Sequence, residues 1–184
     1  MATLVVITGP SGVGKGTMIK RLLAAVAGLE MSISATTRTP REGEVDGRDY
    51  HFLTRDQFKR RADAGEFLES AEYAGNLYGT LIDEVSLRAD GAKGVVLEIE
   101  VQGAEQVKSK VDNAVMIFIA PPDRESLELR LRERGTDTEE QIALRLAQAE
   151  VEIEAVERFD TVIVNDDLES ASAQLITEVA RRLD

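Results

Sequence analysis

A glycine-rich turn close to the N-terminus constrains the fold of this chain more than any other part of its sequence. The turn follows a short β-branched run at residues 4–8 and precedes an amphipathic pattern that begins near Lys15. A strand, a Gly-x4-Gly-Lys turn and a helix in this order are typical of a phosphate-binding loop. The glycines let backbone N–H groups point at phosphate oxygens, and the lysine reaches the β- and γ-phosphates. We therefore predict a nucleotide phosphate site made by Gly9, Pro10, Ser11, Gly12, Val13, Gly14, Lys15, Gly16 and Thr17.

The position after the lysine departs from the usual pattern of such a loop. Ser or Thr normally stands there and ligates Mg²⁺, whereas this chain has Gly16 and carries the hydroxyl one residue later, at Thr17. We expect Thr17 to bond the α-phosphate. Mg²⁺ is then expected to arrive with ATP and to be held by ATP oxygens and water.

The composition excludes several classes of protein. The 184 residues suffice for one domain with a hydrophobic core, and 34 acidic against 22 basic residues give a formal net charge of -12. Such a charge disfavours binding to nucleic acid or to an anionic membrane surface. The sequence has no cysteine, and no apolar run approaches the ~20 residues that cross a bilayer. We expect a cytoplasmic protein, either a monomer or a homodimer.

Strand and helix patterns alternate along much of the chain. Apolar, β-branched runs occur at residues 95–101, 115–119 and 161–164, with a weaker one at 31–35, and amphipathic helical patterns lie between most of them. This alternation predicts an α/β fold in which helices cover both faces of a parallel sheet. The residues that the first and last helices are expected to bury are Ile19, Leu22, Leu23 and Val26, and Leu175, Ile176, Val179 and Leu183.

Two stretches interrupt this alternation. Residues 32–81 are rich in turn formers and hold most of the aromatic residues, and residues 123–157 are strongly charged and helical. Within the first stretch, residues 48–53 are predicted to form a strand. Capping boxes, which mark helix starts, are predicted for Thr54 with Gln57 and for Thr138 with Gln141.

Two acidic residues lie near the end of the predicted strand at 95–101. Side chains alternate along a strand, so Glu98 and Glu100 are expected on the same side. Carboxylates at the end of a buried strand beside a phosphate loop suggest that they hold magnesium waters or a substrate.

Short motifs along the whole chain resemble those of the guanylate kinase family. Besides the loop, they are Ser-Ala-Thr-Thr-Arg-Thr-Pro-Arg at 34–41, Gly-Glu-x-x-Gly-x-x-Tyr at 43–50, Tyr-Gly-Thr at 78–80 and Val-Asn-Asp-Asp at 164–167. The loop alone marks a superfamily, whereas the motifs at 34–41 and 43–50 together are specific to guanylate-kinase-like domains. The resemblance covers essentially all 184 residues. It implies a P-loop nucleoside monophosphate kinase fold, with the parts core 1–31, 82–122 and 156–184, GMP-binding insertion 32–81 and helical lid 123–155.

The resemblance implies that the insertion binds the phosphate of GMP. Arg38, Arg41 and Tyr50 would hold this phosphate, with Ser34 nearby. Two arginines three residues apart offer forked donors to a dianion, and a tyrosine hydroxyl adds a donor without further charge. Arg38 is in addition expected to act in catalysis.

The resemblance also implies a guanine pocket. The Glu69 carboxylate would accept the adjacent N1–H and 2-amino groups of guanine, a pair that adenine cannot supply, and such a site can discriminate by ~10⁴. Thr80 would donate to guanine O6, Tyr78 would line the pocket and Glu98 would contact GMP. The longer Glu100, where the family usually has Asp, would reach Mg²⁺ through water.

Three arginines of the lid are expected to act on ATP. In the family resemblance Arg130, Arg134 and Arg145 converge on ATP and on the transferring phosphoryl group, and Asn165 sits near adenine. Positive groups there would neutralise charge on the phosphoryl oxygens. His51 is expected to pack or to face solvent, because an anionic phosphate acceptor needs no general base.

These implications lead to one hypothesis and two alternatives. The hypothesis is transfer of the γ-phosphoryl group of ATP to GMP, and to dGMP as well, in purine nucleotide metabolism. One alternative is a noncatalytic interaction domain, against which the intact Lys15 counts. The other is a kinase of another small phosphate ester such as a sugar phosphate, against which the guanine pocket counts.

Overall fold

Strands and helices alternate along the chain in the computed structural model, which describes residues 2–73, 75–133, 135 and 137–183. The strands are β1 (Thr3–Thr8), β2 (Leu29–Met31), β3 (Ala35–Thr36), β4 (His51–Phe52), β5 (Phe67–Tyr73), β6 (Asn76–Leu81), β7 (Gly94–Glu98), β8 (Val115–Ala120) and β9 (Thr161–Val164). The helices are α1 (Lys15–Ala25), α2 (Arg55–Asp63), α3 (Ile82–Ala89), α4 (Val101–Lys110), α5 (Arg124–Glu133), α6 (Glu139–Glu154) and α7 (Leu168–Leu183), with a 3-10 turn at Val156–Arg158.

The strands belong to two sheets. A five-stranded sheet has the order β2-β7-β1-β8-β9, and a smaller mixed sheet has the order β4-β3-β6-β5. The larger sheet confirms the α/β class with a parallel sheet that the alternating pattern predicts. By its internal contacts the chain divides into two compact units, residues 1–4 with 28–114 and residues 5–27 with 115–184. We call these the first and the second unit.

The first unit contains the small sheet and helices α2, α3 and α4. Strand β6 lies in the middle of this sheet, antiparallel to both β3 and β5. One face packs on α2, where the Phe58 ring stacks on the Phe67 ring of β5 with the centroids 4.3 Å apart. Ala35 and Leu81 complete this buried cluster. The opposite face is left for polar side chains.

A β-bulge in β5 decides which side chains reach that polar face. Phe67 lies opposite Leu81, but Glu69 lies opposite Thr80, so two steps along β5 match one step along β6. In a regular strand, residues two apart point to the same face. The extra residue, Leu68, breaks this rule and puts Phe67 on the apolar face and Glu69 on the polar face.

The second unit contains β8 with its parallel neighbours β1 and β9, together with α1, α5, α6 and α7. Strand β8 is buried throughout, as expected for a central strand of a parallel sheet. Helices α1 and α7 pack on each other. Helices α5 and α6 share a separate apolar cluster made by Leu127, Leu131, Ile142, Leu146 and Ala149.

The helix predictions are confirmed. Helix α1 begins at Lys15 and buries Ile19 and Leu22, and α7 buries Leu175 and Val179. Leu23, Val26, Ile176 and Leu183 are only partly buried. Both predicted capping boxes are present, at the starts of α2 and α6.

Three strand predictions are wrong in extent. The run at 31–35 is divided between β2, which ends at Met31, and β3, which starts at Ala35 in the other sheet. Of residues 48–53 only His51 and Phe52 are a strand, because the preceding residues form a turn in which Asp49 Oδ2 accepts the Val45 N–H at 2.8 Å. Strand β7 ends at Glu98 and helix α4 begins at Val101. An apolar run cannot distinguish a strand end from the start of a buried helix.

Candidate functional site

The glycine-rich turn forms the predicted loop between β1 and α1 in the second unit. Gly9 has a φ of 143°, and a Cβ there would lie 2.1 Å from the Ile119 carbonyl oxygen of β8. Only glycine allows the chain to leave β1 this close to β8. Gly14 is the N-cap of α1 in the left-handed conformation, and no side chain caps the helix. The first N–H groups of α1 therefore keep their capacity to bind an anion.

The lysine of the loop is folded back onto it. Lys15 Nζ donates to the carbonyl oxygens of Gly9 at 2.5 Å and Pro10 at 3.1 Å. Val13 is completely buried and fixes the middle of the loop. An ammonium held above the loop by backbone carbonyls can exchange these acceptors for phosphate oxygens without a large movement.

Arg130 and Asn165 bond to each other beside the loop. Asn165 is 3% exposed, and its Nδ2 donates to the Val13 carbonyl oxygen at 2.7 Å. The backbone carbonyl oxygen of Asn165 accepts from the Arg130 guanidinium at 2.8 Å. Arg130 thus reaches the loop from α5 through the segment that follows β9. The structure places Asn165 as a support of the loop, and a contact with adenine stays a prediction.

Arg145 of α6 also contacts the loop. Its guanidinium donates to the Ser11 hydroxyl and forms an ion pair with Asp137 at 3.2 Å. The structure therefore brings two of the three predicted lid arginines to the loop that carries Lys15. Arg134 lies outside the described residues.

In the first unit, Glu69 is the central polar side chain of the small sheet. It is 4% exposed, and one carboxylate oxygen accepts the Thr80 hydroxyl at 2.6 Å. Burial raises the pKa of this carboxyl group, opposed by the hydrogen bonds from Thr80. Because the Thr80 hydroxyl donates to Glu69, donation to guanine O6 would require Thr80 to give up this bond.

Helix α4 passes close to the other oxygen of Glu69. A Cβ on Gly103 would lie 2.3 Å from Glu69 Oε2, far inside van der Waals contact. Gln106, one turn further along α4, fixes the edge of β5 by bonding both the N–H and the carbonyl of Ser70. The sequence pattern gave no sign that a glycine of this helix borders the carboxylate.

An aromatic and cationic cluster lies in the same unit. The Tyr50 and Tyr78 rings meet edge to face with centroids 6.2 Å apart, and the Arg38 guanidinium lies over Tyr50 at 5.3 Å and over Phe52 at 6.0 Å. Burial, and then the negative charge of Glu98, raise the pKa of Tyr50. At neutral pH the Tyr50 phenol is consequently a hydrogen-bond donor.

Glu44 binds Arg38 and was missed by sequence reasoning. It accepts from both terminal nitrogens of Arg38, at 2.8 and 3.0 Å, and from the backbone N–H of Arg41 at 2.7 Å. The only signal for it is its place inside the Gly-Glu motif, three residues after Arg41. The Arg41 side chain itself is exposed, and Ser34 is linked to β4 through its carbonyl oxygen, which accepts the His51 N–H.

The two acidic residues predicted near the end of β7 belong to different elements. Glu98 ends the strand, whereas Glu100 is the N-cap residue of α4, so the strand alternation that predicts both on one side does not apply. Among residues 2–73, 75–133, 135 and 137–183, no group of three or more His, Asp or Glu side chains is placed to hold a metal ion. Any Mg²⁺ site on these residues would therefore depend on oxygens from a ligand or from water.

His51 packs against helix α3, which is one of the two environments predicted for it. Its Nε2 lies 3.1 Å from Oε2 of Glu84, which is 7% exposed. Glu84 also accepts from Arg88 and from the backbone N–H of Ile33. His51 thus belongs to a buried polar network that links β4 to α3.

The loop between β1 and α1, together with Lys15 and a parallel sheet, defines the chain as a P-loop nucleotide-binding α/β protein. A model of the guanylate kinase family matches residues 1–181. The chain belongs to the guanylate kinase family.

Individual relatives agree with this assignment. The chain is 53% identical over 168 residues to a guanylate kinase of Trichormus variabilis, covering 91% of this chain and 84% of that one. It is 49% identical over 180 residues to a guanylate kinase of Rubrobacter xylanophilus, covering 98% and 94%. The crystal structure of guanylate kinase from Anaplasma phagocytophilum matches with a TM-score of 0.75 and 32% identity, over 98% of this chain and 85% of that one.

None of the helices in the described part of the chain is both long and apolar enough to span a membrane.

Proposed function

We propose that this protein transfers the γ-phosphoryl group of ATP to GMP, giving ADP and GDP in purine nucleotide metabolism. The observation that carries the proposal is the buried carboxylate of Glu69 on the polar face of the small sheet. A carboxylate has about four acceptor positions, and the Thr80 hydroxyl occupies one of them. The remaining positions suit two adjacent donors.

Guanine supplies such a pair through N1–H and the 2-amino group. With AMP in the site, the desolvated carboxylate would lose this pairing, which is the situation in which enzymes discriminate by ~10⁴. The bond from Thr80 holds Glu69 in place, so recognition of guanine O6 by Thr80 is a secondary part of the proposal. Tyr78, two residues before Thr80 on the same face of β6, would line the pocket.

The cluster of Arg38 and Tyr50 supports a phosphate site beside this pocket. A guanidinium and a protonated phenol are both donors, and Arg41 would add a second positive charge from the adjoining loop. Ser34 and Glu98 are proposed as further GMP contacts. The deoxy substrate dGMP would be accepted as well, since none of these contacts requires the ribose 2′-hydroxyl.

On the ATP side, the loop and its surroundings would bind the triphosphate. The N–H groups of the loop and the start of α1 would receive the phosphates, and Lys15 would exchange two carbonyl oxygens for phosphate oxygens. Arg130 and Arg145 already contact the loop, and Arg134 and Asn165 are proposed to complete the ATP site. Their charges would stabilise the oxygens of the transferring group.

Mg²⁺ is proposed to come with ATP. It would neutralise negative charge on the phosphates of ATP, and Glu100 would contact it through water. In the transfer, an oxygen of the GMP phosphate forms the new bond to the γ-phosphorus while the bond from that phosphorus to the bridging oxygen of ADP breaks. The attacking oxygen is already anionic, so no general base is required.

The parts that the sequence predicts are proposed as functional segments. Residues 32–81 would form the GMP-binding insertion, 123–155 the lid, and 1–31, 82–122 and 156–184 the core. A cytoplasmic location is proposed from the acidic, cysteine-free composition.

A coupled assay of ADP release tests the proposal with ATP, Mg²⁺ and each of GMP, AMP, CMP and UMP. GMP alone is expected to give turnover. Lys15→Ala is expected to lower kcat by about a hundredfold or more, since Lys15 would neutralise transition-state charge. Lys20→Ala, an exposed lysine of the same helix, is the matched control.

Equal turnover with AMP would refute the role of Glu69. ATP binding without turnover of any nucleoside monophosphate would refute the acceptor assignment and redirect the search to sugar phosphates or to an interaction domain.

A further inference from the structure

Glu44 occupies the centre of the arginine-rich loop in the first unit. Its side chain is 18% exposed, and that of Arg38 is 15% exposed, although both residues belong to a surface loop. The carboxylate accepts three hydrogen bonds, two from the Arg38 guanidinium and one from the Arg41 backbone N–H. It thereby links positions 38, 41 and 44 of the loop. The Glu44 N–H in turn donates to the Arg41 carbonyl oxygen at 3.1 Å. The backbone and the side chain of Glu44 together therefore close the segment into a turn.

The Arg38 side chain contacts several other groups of the same unit. Glu44 holds its two terminal nitrogens, the Thr39 carbonyl oxygen accepts from one of them at 2.9 Å, and the rings of Tyr50 and Phe52 lie against the guanidinium. An arginine on a flexible loop samples many rotamers, and ordering it on ligand binding weakens the affinity. Here the chain's own groups restrict the side chain, so a ligand has less ordering left to impose.

The carboxylate remains charged under all ordinary conditions. Arg38, and then the backbone N–H of Arg41, hold the pKa of Glu44 at about 2. Glu44 is therefore not a proton donor or acceptor in a reaction at neutral pH. Its chemistry is that of a fixed anion that accepts hydrogen bonds.

We propose that Glu44 is the positioning residue of the acceptor phosphate site: it orients the Arg38 guanidinium and the Arg41 backbone so that both arginines are ready for the phosphate of GMP. The inference rests on the proposed function and deepens it. Glu44 acts through Arg38 and does not touch the substrate. Its negative charge opposes the incoming dianion, but the two bonds to the Arg38 guanidinium offset much of that charge, and the pre-ordering of the loop outweighs the repulsion that remains.

Glu44→Gln tests this inference because it removes the charge and one acceptor with little change of shape. The KM for GMP is expected to rise about three- to tenfold, the cost of ordering one or two long side chains, while the KM for ATP stays unchanged. In about 0.5 M salt, the repulsion between Glu44 and the GMP phosphate is screened in the unmodified protein. Removing the charge then no longer offsets part of the lost ordering, so the increase in KM is expected to be larger. Glu42→Gln is the matched control, since Glu42 is an exposed carboxylate of the same loop.

Two further measurements separate positioning from a general effect on folding. Binding of guanosine, which lacks the phosphate, is expected to be the same for Glu44→Gln and the unmodified protein. In the Arg38→Ala background, adding Glu44→Gln is expected to change the GMP affinity by less than it does in the unmodified protein, about twofold at most, because only the bond to the Arg41 backbone is left for Glu44 to act through.

Two results would overturn the positioning role of Glu44. An unchanged or tighter GMP affinity in Glu44→Gln would show that Glu44 is a bystander or a competitor, and would overturn the inference. Equal losses for guanosine and GMP would also overturn it, since they would indicate general damage. If the unmodified protein does not phosphorylate GMP, the proposed function fails. If it does, and Glu44→Gln leaves the GMP affinity unchanged, only this inference fails.

Discussion

At the scale of single residues, the position of the Glu69 carboxylate depends on a neighbour that has no side chain. A Cβ on Gly103 would overlap Glu69 Oε2, and the carboxylate end of Glu69 can move more easily than the backbone of α4. We predict that Gly103→Ala folds but displaces the carboxylate. The kcat/KM for GMP is then expected to fall roughly 10- to 100-fold, as for other small misplacements in active sites.

The comparison with inosine monophosphate makes this prediction specific. That nucleotide lacks the 2-amino group, so it uses one fewer bond to Glu69, and its kcat/KM is expected to fall less than that of GMP. Gln102→Ala, on the exposed side of α4, serves as the control. Unchanged selectivity between the two nucleotides in Gly103→Ala would contradict the predicted role.

Single residues also show the limit of sequence reasoning about the site. Lys15 and the glycines of the loop could be predicted because their chemistry depends on neighbours along the chain. Glu44 and Gly103 could not, because the first matters through a hydrogen bond to a side chain six residues away and the second through its distance to another element. Asn165 was predicted near a base, which stays a prediction, and its hydrogen bond to the Val13 carbonyl oxygen of the loop was not predicted.

At the scale of elements, the network around Glu84 ties helix α3 to strand β4. Burial alone would raise the pKa of Glu84, but hydrogen bonds from Arg88, His51 and the Ile33 N–H outweigh it and lower the pKa below the ordinary value of 4.5. Glu84→Gln removes a buried charged acceptor and is expected to lower the free energy of unfolding by about 1–3 kcal/mol at neutral pH. Thermal or urea unfolding measures this difference.

The pH dependence of that difference follows from the lowered pKa. A carboxyl group whose pKa is lower in the folded state stabilises the fold above its unfolded pKa, and this stabilisation is lost as the pH falls through the folded value. The gap between the unmodified protein and Glu84→Gln is therefore expected to narrow below about pH 4.5. Asp83→Asn, an exposed carboxylate on the same helix, is the control, and a gap that widens steadily with acid would refute the assignment.

Element boundaries were predictable where a local rule fixes them. The starts of α2 and α6 follow from capping boxes, which involve four consecutive residues. The ends of β2, β3 and β7 depend instead on pairing with distant strands and on where the next helix begins. Apolar residues such as Ile33 and Ile99 follow the ends of β2 and β7, so the sequence pattern alone predicts strands that are too long there.

At the scale of the whole molecule, each compact unit carries the residues proposed for one of the two substrates. The ATP contacts of the loop, Arg130, Arg145 and Asn165 belong to the second unit, and the GMP contacts belong to the first. A ligand at a hundred times its Kd stabilises a protein by about 2.7 kcal/mol, which is roughly 5–10 °C in Tm for a chain of this size. Both nucleotides are expected to raise the Tm to this extent.

Two variants should separate the Tm shift caused by ATP from the Tm shift caused by GMP. Lys15→Ala is expected to abolish most of the ATP shift and keep the GMP shift, while Arg38→Ala is expected to do the reverse. Differential scanning fluorimetry with each nucleotide alone provides the measurement. Loss of both shifts in either variant would contradict this division of the substrates.

The class of the fold was the most predictable property at this scale. Alternation of buried strands and amphipathic helices is repeated along the chain, so an error in one element does not change the result. The small mixed sheet was not predicted, because three of its strands are formed by residues that lack a long apolar run.

The bulge at Leu68 makes strand β5 tolerant of a change in length at one point. Neighbouring residues of a regular strand face opposite sides, so removing Leu68 would join Phe67 directly to Glu69 and still leave the first on the apolar face and the second on the polar face. A single insertion elsewhere in β5 that forms no bulge would instead turn every side chain beyond it to the other face. For anyone redesigning this pocket, one residue can be added or removed at the bulge, whereas length changes elsewhere in the strand must come in pairs.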